Sequence, residues 1–225
     1  MNKKILFFIG FISIILLLSI KYTNQSDSDF ISTDGSAASE EYEKMQIAIT
    51  FDDGPGPYTE RLLDELLERN VKATFFLIGE SAEQYPDVVK RMHEEGHLIG
   101  NHTYSHIELA CVPLQKAVEE INKTNNIIKE ITGEDIEYIR PPYGYWTKEL
   151  AKNVDMEPVL WDVDPRDWSV LDEQKVTCHI VKNIEEDDII LLHDIFETSV
   201  DAALNVIDIL QLNGYEFVTV EELYG

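Results

Sequence analysis

Residues 46–57 read QIAITFDDGPGP and give the strongest indication of the fold. A short apolar run ends here in two adjacent carboxylates and a turn of glycine and proline. An uninterrupted apolar run bounded by turn residues is typical of a strand buried on both faces, as in a parallel sheet. Acidic side chains directly after such a strand lie at its carboxyl end, where α/β proteins bind their ligands.

Six further apolar runs follow the first strand, with helical patterns between them. The seven predicted strands are Gln46–Phe51, Ala73–Ile78, His97–Gly100, Ile136–Ile139, Pro158–Trp161, Asp188–Leu192 and Glu216–Thr219. Strands that alternate with helices predict an α/β fold with a parallel sheet. Seven units is the count of a (β/α) barrel that lacks one strand. A doubly wound open sheet is the alternative.

The helical patterns are apolar on one face. Two such faces consist of Leu62, Leu63, Leu66 and Leu67, and of Leu114, Ala117, Val118 and Ile121. Pro86 and Pro113 stand where a helix places its first turn. The later helices are predicted at Lys148–Val154, Glu173–Ile184 and Val200–Leu212.

The amino-terminal segment has a different composition. Lys3 and Lys4 precede an apolar run, Ile5–Ile20, which is the pattern of an export signal. No cleavage site of small residues follows at the usual distance, so we expect residues 1–21 to be an uncleaved membrane anchor. A cleaved signal is the alternative. Residues 22–44 are polar and predict a flexible linker, and residues 45–225 predict one folded domain outside the membrane.

The chain is strongly acidic, with 18 Lys+Arg against 43 Asp+Glu and a net charge of -25. Such a charge repels phosphates, which excludes nucleic acid as a partner. The two cysteines, Cys111 and Cys178, lack the close spacing of a metal or redox motif. We expect two unrelated buried thiols. A disulfide outside the cell is the alternative.

Five polar clusters follow five of the predicted strands. They are Thr50–Pro55, Asn101–His106, Arg140–Gly144, Asp164–Trp168 and His193-Asp194. Because the carboxyl ends of parallel strands meet on one face, we expect these clusters to form a single site.

His102 and His106 are four residues apart, so one helical turn would place both imidazoles on the same side. With a carboxylate they would form a metal site that leaves positions open for water and substrate. Two unrelated histidines are the alternative. We favour the metal because the pair follows a buried strand and shares its face with four other polar clusters.

Asp52 and Asp53 can take different tasks at the end of one strand. One can bind the metal while the other removes a proton from the attacking water. His193 stands at another strand end, where it can protonate a leaving group. By contrast, His93 and His179 lie in polar helical stretches and are expected on the surface, and His97 opens a strand and is expected to be structural.

These five clusters, in this order, resemble the motifs of the polysaccharide deacetylase family, also called the NodB-homology or carbohydrate esterase 4 group. The resemblance runs from about Gln46 to Tyr224 and implies a distorted (β/α) barrel of about seven parallel strands. It implies that Asp52 is the general base, and that Asp53, His102 and His106 bind one divalent metal. Zinc is the expected ion, and Co²⁺, Ni²⁺ and Mn²⁺ are also compatible.

The resemblance also implies roles for the remaining cluster residues. Arg140 would orient Asp52, and the backbone N–H of Tyr143 would help to hold the oxyanion. Asp167 would position His193, the general acid. Trp168 and Leu191 would line the pocket for the acetyl methyl group.

The implied reaction is the hydrolysis of N-acetyl groups on N-acetylglucosamine residues of a polysaccharide, with peptidoglycan as the expected substrate. The Gly54–Pro57 turn and Tyr143 within Arg-Pro-Pro-Tyr-Gly resemble the glucosamine-type branch. A chitooligosaccharide deacetylase and an acetylxylan esterase are the enzymatic alternatives. A non-catalytic, membrane-tethered glycan-binding module is the alternative of another class, and the presence of both Asp52 and His193 argues against it.

Overall fold

The computed structural model of the protein describes residues 45–225, and within this range it contains a sheet of seven parallel strands. The strands are β1 (Met45–Asp52), β2 (Thr74–Leu77), β3 (Leu98–Asn101), β4 (Tyr138–Ile139), β5 (Glu157–Pro158), β6 (Ile189–His193) and β7 (Tyr215–Val218). Every pairing between them is parallel, as the buried apolar runs predict.

The sheet has the order β5-β4-β3-β2-β1-β6, and β7 pairs additionally with β1. β7 contacts the amino-terminal half of β1, where Met45 pairs with Tyr215. β2 contacts the carboxyl-terminal half, where Asp52 pairs with Phe76. β1 therefore has three neighbours and lies at the centre of the fold.

The chain after β5 crosses from one edge of the sheet to the other. Val159 N–H donates to Ile139 O of β4, whereas Asp162 N–H and Val163 N–H donate to Ile189 O of β6. Val163 and Ile190 also form a parallel bridge. This segment brings the two edges together, and the predicted distorted (β/α) barrel is confirmed.

Eight α-helices flank the sheet in the described part of the chain. They are α1 (Thr59–Glu68), α2 (Gly79–Gln84), α3 (Pro86–Glu94), α4 (Leu114–Thr132), α5 (Asp167–Val170), α6 (Glu173–Asn183), α7 (Glu197–Leu212) and α8 (Val220–Tyr224). Short 3₁₀ turns cover Leu109–Cys111, Pro142–Gly144 and Leu150–Lys152. None of the helices within residues 45–225 combines the length and the apolar character needed to cross a membrane.

Successive residues of β1 point to opposite faces of the sheet. Ile47, Ile49 and Phe51 are fully buried in the main hydrophobic cluster, with side chains of the flanking helices. Thr50 and Asp52 lie on the other face, inside the barrel, where they contact the buried guanidinium of Arg140. The inside of this barrel thus holds a charged group at the level of the strand ends.

The predicted helices are found, with three differences. Leu62, Leu63 and Leu66 are buried in α1, but Leu67 is 57% exposed because it lies at the margin of the apolar face. α7 begins three residues before the predicted Val200. The predicted helix Lys148–Val154 is wrong, since only Leu150 of the 3₁₀ turn Leu150–Lys152 is buried and little packing stabilises a longer helix there.

The prediction that both cysteines are buried is also wrong. Cys111 and Cys178 are free thiols and both are exposed. In the turn Leu109–Cys111 the buried side chain is that of Leu109. On α6 the buried residues are Val176 and Ile180, which leaves Cys178 on the opposite, solvent-facing side. The predicted anchor (residues 1–21) and linker (residues 22–44) lie outside the described residues.

Candidate active site

Three predicted metal ligands meet at the carboxyl ends of β1 and β3. Asp53 Oδ1 lies 3.4 Å from His102 Nε2 and 3.5 Å from His106 Nε2. This oxygen is buried and has no hydrogen-bond partner in the described part of the protein. Ligands on a tetrahedral zinc ion, at bond lengths of about 2.0–2.2 Å, are roughly 3.3–3.5 Å apart. The spacing and the donor types therefore fit a single divalent cation.

The ring of His102 is oriented by the main chain. Its Nδ1 lies 2.6 Å from the carbonyl oxygen of Arg140. A carbonyl can only accept, so Nδ1 carries the proton and the lone pair of Nε2 faces Asp53. Metal-binding histidines are commonly held by such a hydrogen bond on the other nitrogen.

The protonation states also suit a cation. Burial lowers the pKa of His106 from its usual value, and the nearby ring of His102 lowers it further. Burial acts to raise the pKa of Asp53, but the imidazoles of His102, His193 and His106 outweigh it and hold that pKa below its ordinary value. Near neutral pH the site thus offers a carboxylate and an unprotonated His106.

Asp52 stands beside the candidate metal site and is paired with Arg140. Asp52 Oδ1 accepts a hydrogen bond of 2.8 Å from Arg140 Nη1, and the same Nη1 donates to Thr50 Oγ1 at 2.6 Å. The other carboxylate oxygen, Oδ2, lies 3.8 Å from His102 Nε2. One oxygen of Asp52 is therefore fixed by the pair, and the second is directed towards the metal ligands.

Arg140 is completely buried, and its N–H groups donate hydrogen bonds to four different acceptors. In addition to Asp52 and Thr50, it donates from Nε to Val159 O and from Nη2 to Leu160 O. The guanidinium carbon lies 4.2 Å from the ring centroid of Phe76. A buried cation needs this degree of pairing to be tolerated, so the Arg140–Asp52 pair fixes both side chains rigidly.

His193 and the fully buried Asp167 form a second pair near Asp53. Asp167 Oδ1 lies 2.8 Å from His193 Nδ1, and Asp167 Oδ2 accepts the His193 backbone N–H at 2.8 Å. Burial acts to lower the pKa of His193, but the hydrogen bond that its imidazole donates to Asp167 and the charges of Asp167, Asp52 and Asp53 raise it to about 9. The imidazole is thus protonated at neutral pH, with Nε2 4.0 Å from Asp53 Oδ2.

A cavity of about 650 Å³ opens above these groups. Its lining includes the predicted Tyr143, Trp168 and Leu191. Tyr143 is 61% exposed and Trp168 is 53% exposed, whereas Leu191 is buried. Large aromatic faces at the edge of a cavity are suited to contact with a sugar ring.

Sequence reasoning missed four other side chains that line this cavity. They are Glu108, Tyr145, Trp161 and Phe196. Glu108, Tyr145 and Phe196 lie within three residues of predicted site residues, so polar clusters extended by two residues would have included them.

The loops around the cavity contain unusual backbone conformations. Among the described residues, eight non-glycine residues have a positive φ, and five of them lie in the site loops. These five are Asp53, Thr103, His106, Tyr143 and Arg166. Such conformations cost on the order of 1–3 kcal/mol each and are found mainly at functional sites, where the surrounding structure maintains them.

The expected helical turn between His102 and His106 is wrong. Residues 102–106 form a loop, in which Thr103 and His106 are left-handed, with φ of 63° and 55°. The two rings nevertheless converge, with centroids 4.9 Å apart. The loop conformation thus brings the two imidazole rings together without a helical turn.

The remaining three histidines are not in the site. His179 is exposed, as predicted. His93 is half-buried on α3, which makes the surface prediction only partly correct. His97 is structural, as predicted, because its Nδ1 accepts the backbone N–H of Ala73 and burial lowers its pKa to about 4.

Comparison with known proteins identifies the family. A sequence profile described as polysaccharide deacetylase matches residues 39–159, more than half of the chain. The chain belongs to the polysaccharide deacetylase family.

Two curated members of the family are similar at the same level. A peptidoglycan-N-acetylmuramic acid deacetylase of Bacillus subtilis, PdaC, is 40% identical over 79% of this chain and 38% of its own length. A peptidoglycan-N-acetylglucosamine deacetylase of Bacillus cereus is 40% identical over 81% of this chain and 70% of its own. The chain thus spans well under half of PdaC and about two thirds of the second relative.

The fold of this family member agrees with a solved structure. Peptidoglycan deacetylase PdaC from Bacillus subtilis superimposes with a TM-score of 0.79 and 39% identity, covering 81% of this chain and 91% of the solved one.

Proposed function

We propose that the protein is a metal-dependent deacetylase, which hydrolyses N-acetyl groups on N-acetylglucosamine residues of a polysaccharide and releases acetate. The observation that carries the proposal is the unpartnered, buried Asp53 Oδ1 between the Nε2 atoms of His102 and His106. Two ion pairs, Asp52–Arg140 and Asp167–His193, adjoin these ligands, with Asp52 Oδ2 3.8 Å from His102 Nε2 and His193 Nε2 4.0 Å from Asp53 Oδ2. Membership of the polysaccharide deacetylase family supports the same reaction.

Asp53, His102 and His106 would hold the metal. Two histidines and a carboxylate suit zinc best, and Co²⁺, Ni²⁺ and Mn²⁺ accept the same donors. A divalent ion in this place supplies a Lewis acid, which polarises the acetyl carbonyl and acidifies the attacking water.

Asp52 is proposed as the general base. Its Oδ2 is directed towards the metal ligands, while Oδ1 is held by Arg140. The carboxylate takes a proton from the water as the water oxygen adds to the carbonyl carbon. Arg140 holds the carboxylate in this orientation through the hydrogen bond to Oδ1.

His193 is proposed as the general acid. Its proton passes to the amide nitrogen as the carbon–nitrogen bond breaks, which leaves acetate and a free amine on the sugar. Asp167 holds the imidazole in position through Nδ1, so that Nε2 carries the proton to be donated.

Three cavity residues complete the proposed site. Trp168 and Leu191 would contact the acetyl methyl group, and the backbone N–H of Tyr143 would donate to the oxyanion. Tyr143 has φ of 62° and ψ of 8°, a conformation that an ordinary turn would not give a tyrosine.

The identity of the sugar and of the polymer is proposed from the names of two relatives and from two sequence motifs. The two relatives at 40% identity are named for different sugars, N-acetylmuramic acid and N-acetylglucosamine, and both for peptidoglycan. The Gly54–Pro57 turn and the sequence around Tyr143 favour N-acetylglucosamine in peptidoglycan.

The location is proposed from the sequence. Lys3, Lys4 and the run Ile5–Ile20 support an uncleaved membrane anchor, with the linker of residues 22–44 and the domain of residues 45–225 outside the membrane. Amino-terminal sequencing of the membrane fraction tests this, and a mature chain that begins between about residues 22 and 45 would contradict it.

The function is tested by acetate release from a panel of purified glycans. The panel contains peptidoglycan, N-acetylglucosamine oligomers and acetylxylan, each with the wild-type protein and with Asp52→Asn. We expect acetate from the glucosamine-containing glycans and a loss on the order of 10²–10⁴ with Asp52→Asn. Glycan binding without acetate release would instead support a binding module.

A further inference from the structure

The metal ligand Asp53 is connected to α1 by a short turn, Gly54–Gly56. Gly54 O accepts the backbone N–H of Ile78, and Gly56 N–H donates to Thr59 Oγ1 at 2.8 Å. Thr59 is the first residue of α1 and is completely buried. Its hydroxyl therefore acts as an acceptor towards the turn.

The same hydroxyl acts as a donor towards Asp194. Thr59 Oγ1 donates to Asp194 Oδ2, and Asp194 is fully buried. The second oxygen, Asp194 Oδ1, has no hydrogen-bond partner among the described residues. Asp194 directly follows His193, so this contact connects the strand of the proposed acid to the turn of the metal ligand.

Asp194 also lies against the turn itself. A Cβ atom added to Gly54 would stand 2.5 Å from Asp194 Oδ1 and 2.7 Å from Oδ2. Only glycine allows this approach, so the position of the turn is defined by the carboxyl group of Asp194. At the next glycine, a Cβ on Gly56 would stand 2.7 Å from a side-chain atom of Ile195.

We propose that Thr59 and Asp194 are positioning residues, which hold the Gly54–Gly56 turn so that Asp53 meets His102 and His106. Asp53 is left-handed, with φ of 73°, a conformation that is uncommon for a non-glycine residue and that persists with support from the surrounding structure. The next residue, Gly54, begins the turn, which contacts Asp194 at Gly54 and Thr59 at Gly56. The chain Gly56 N–H, Thr59 Oγ–H and Asp194 Oδ2 supplies that support. This inference rests on the metal site of the proposed function, and it is independent of the glycan.

The test measures zinc affinity by calorimetry, with metal-free full-length protein and Zn²⁺ alone. Thr59→Val keeps the shape of the side chain and removes both hydrogen bonds, and Thr59→Ser keeps the hydroxyl. We expect Thr59→Val to weaken zinc binding by about 10–100-fold, as the loss of a group that supports a metal ligand does. Thr59→Ser should restore binding to near the wild-type value.

The matched control is Thr74→Val. Thr74 is also completely buried, and its hydroxyl accepts the backbone N–H of Val220 at the amino end of β2, away from the metal ligands. This variant loses a comparable hydrogen bond, so it reports what a purely structural defect does to zinc binding. We expect unchanged affinity.

A second variant approaches the contact from the other side. Gly54→Ala places a methyl group against the Asp194 carboxyl group, so we expect weaker zinc binding here as well. The proposal is overturned if Thr59→Val and Gly54→Ala both bind zinc as the wild type does, or if Thr74→Val loses as much affinity as Thr59→Val.

The result is separable from the proposed function. A wild-type protein that binds no zinc overturns the metal site and with it this inference. A wild-type protein that binds zinc but releases no acetate overturns the reaction alone, and the comparison of Thr59 variants still stands.

Discussion

Asp52 and His193 are register partners at the carboxyl ends of β1 and β6. The proposed base and the proposed acid are therefore fixed side by side by the backbone of two neighbouring strands, at the usual separation of about 4.8 Å. Since the sheet sets this relationship, either side chain can be changed while the other keeps its place.

The first prediction follows from that independence. The wild type should show a bell-shaped dependence of kcat/KM on pH, because the base must be ionised and the acid protonated. Asp52→Asn should flatten the acidic limb and His193→Ala the alkaline limb, each with a loss on the order of 10²–10⁴ in rate. The double variant should lose less than the sum of the two, since both groups serve one reaction. Wild-type rates in both single variants would contradict the mechanism.

The second prediction concerns the position of the alkaline limb. Burial acts to lower the pKa of His193, but its hydrogen bond to Asp167 and the charges of Asp167, Asp52 and Asp53 raise it to about 9, so the proposed acid stays protonated up to alkaline pH. Asp167→Asn removes the charge, the pKa of His193 falls, and the alkaline limb of kcat/KM should move to lower pH. Asp172→Asn is the control, because Asp172 caps α6 and does not contact His193. A limb that stays in place in Asp167→Asn would show that another group sets it.

The third prediction concerns stability. Arg140→Met leaves Asp52 buried and unpaired, so the free energy of unfolding in urea should fall by about 3–5 kcal/mol. The double variant with Asp52→Asn should lose less than the sum of the two single changes, since the unpaired charge is then absent.

Arg69→Met serves as the comparison for Arg140. Arg69 pairs with Glu65 and with Asp208, which is half exposed, so this change should cost only about 0–1 kcal/mol. An equal loss of unfolding free energy in the two arginine variants would mean that the buried Arg140–Asp52 pair stabilises the fold no more than the exposed pairs of Arg69 do.

The fourth prediction concerns metal removal. Chelation should abolish acetate release, and addition of Zn²⁺ to the chelated protein should restore it and raise the Tm, because the ion binds only the folded state. His102→Ala should lose stoichiometric metal, measured by elemental analysis. His179→Ala, an exposed histidine on α6, should retain the full metal content. Full turnover by metal-free protein would rule out the metal mechanism.

The sequence predicts five of the seven strands closely. β1, β2, β3, β6 and β7 lie within one residue of their predicted limits, because a buried strand is a short apolar run. The predicted strand Pro158–Trp161 is mostly absent. The carbonyls of Val159 and Leu160 accept from Arg140 there instead of from a neighbouring strand. The local sequence cannot predict that Arg140, about 20 residues earlier in the chain, donates hydrogen bonds to these two carbonyls.

The candidate site, like the sheet, is predictable from the sequence only in part. Residue types at strand ends predict which side chains meet, and Asp53, His102 and His106 do converge. The left-handed backbone of Thr103 and Tyr143 is not predictable from these residues, since neither residue type favours it. The contact between Thr59 and Asp194 joins residues 135 positions apart, and only the fold brings them together.

The pairing of β1 with three strands has a consequence for how the protein folds during its synthesis. β1 is the first strand of the domain to be translated, yet its amino-terminal half pairs with β7, from residue 215 onwards. Until Tyr215 and the rest of β7 have been synthesised, β1, which ends at Asp52, is incompletely paired. Pairing over such a distance along the chain slows folding, so we expect β1 to be accessible to protease in a nascent chain that lacks β7. Limited proteolysis of ribosome-bound chains that stop before Tyr215 should cut within β1, and a protected β1 in those chains would show that the strand is stable without its last partner.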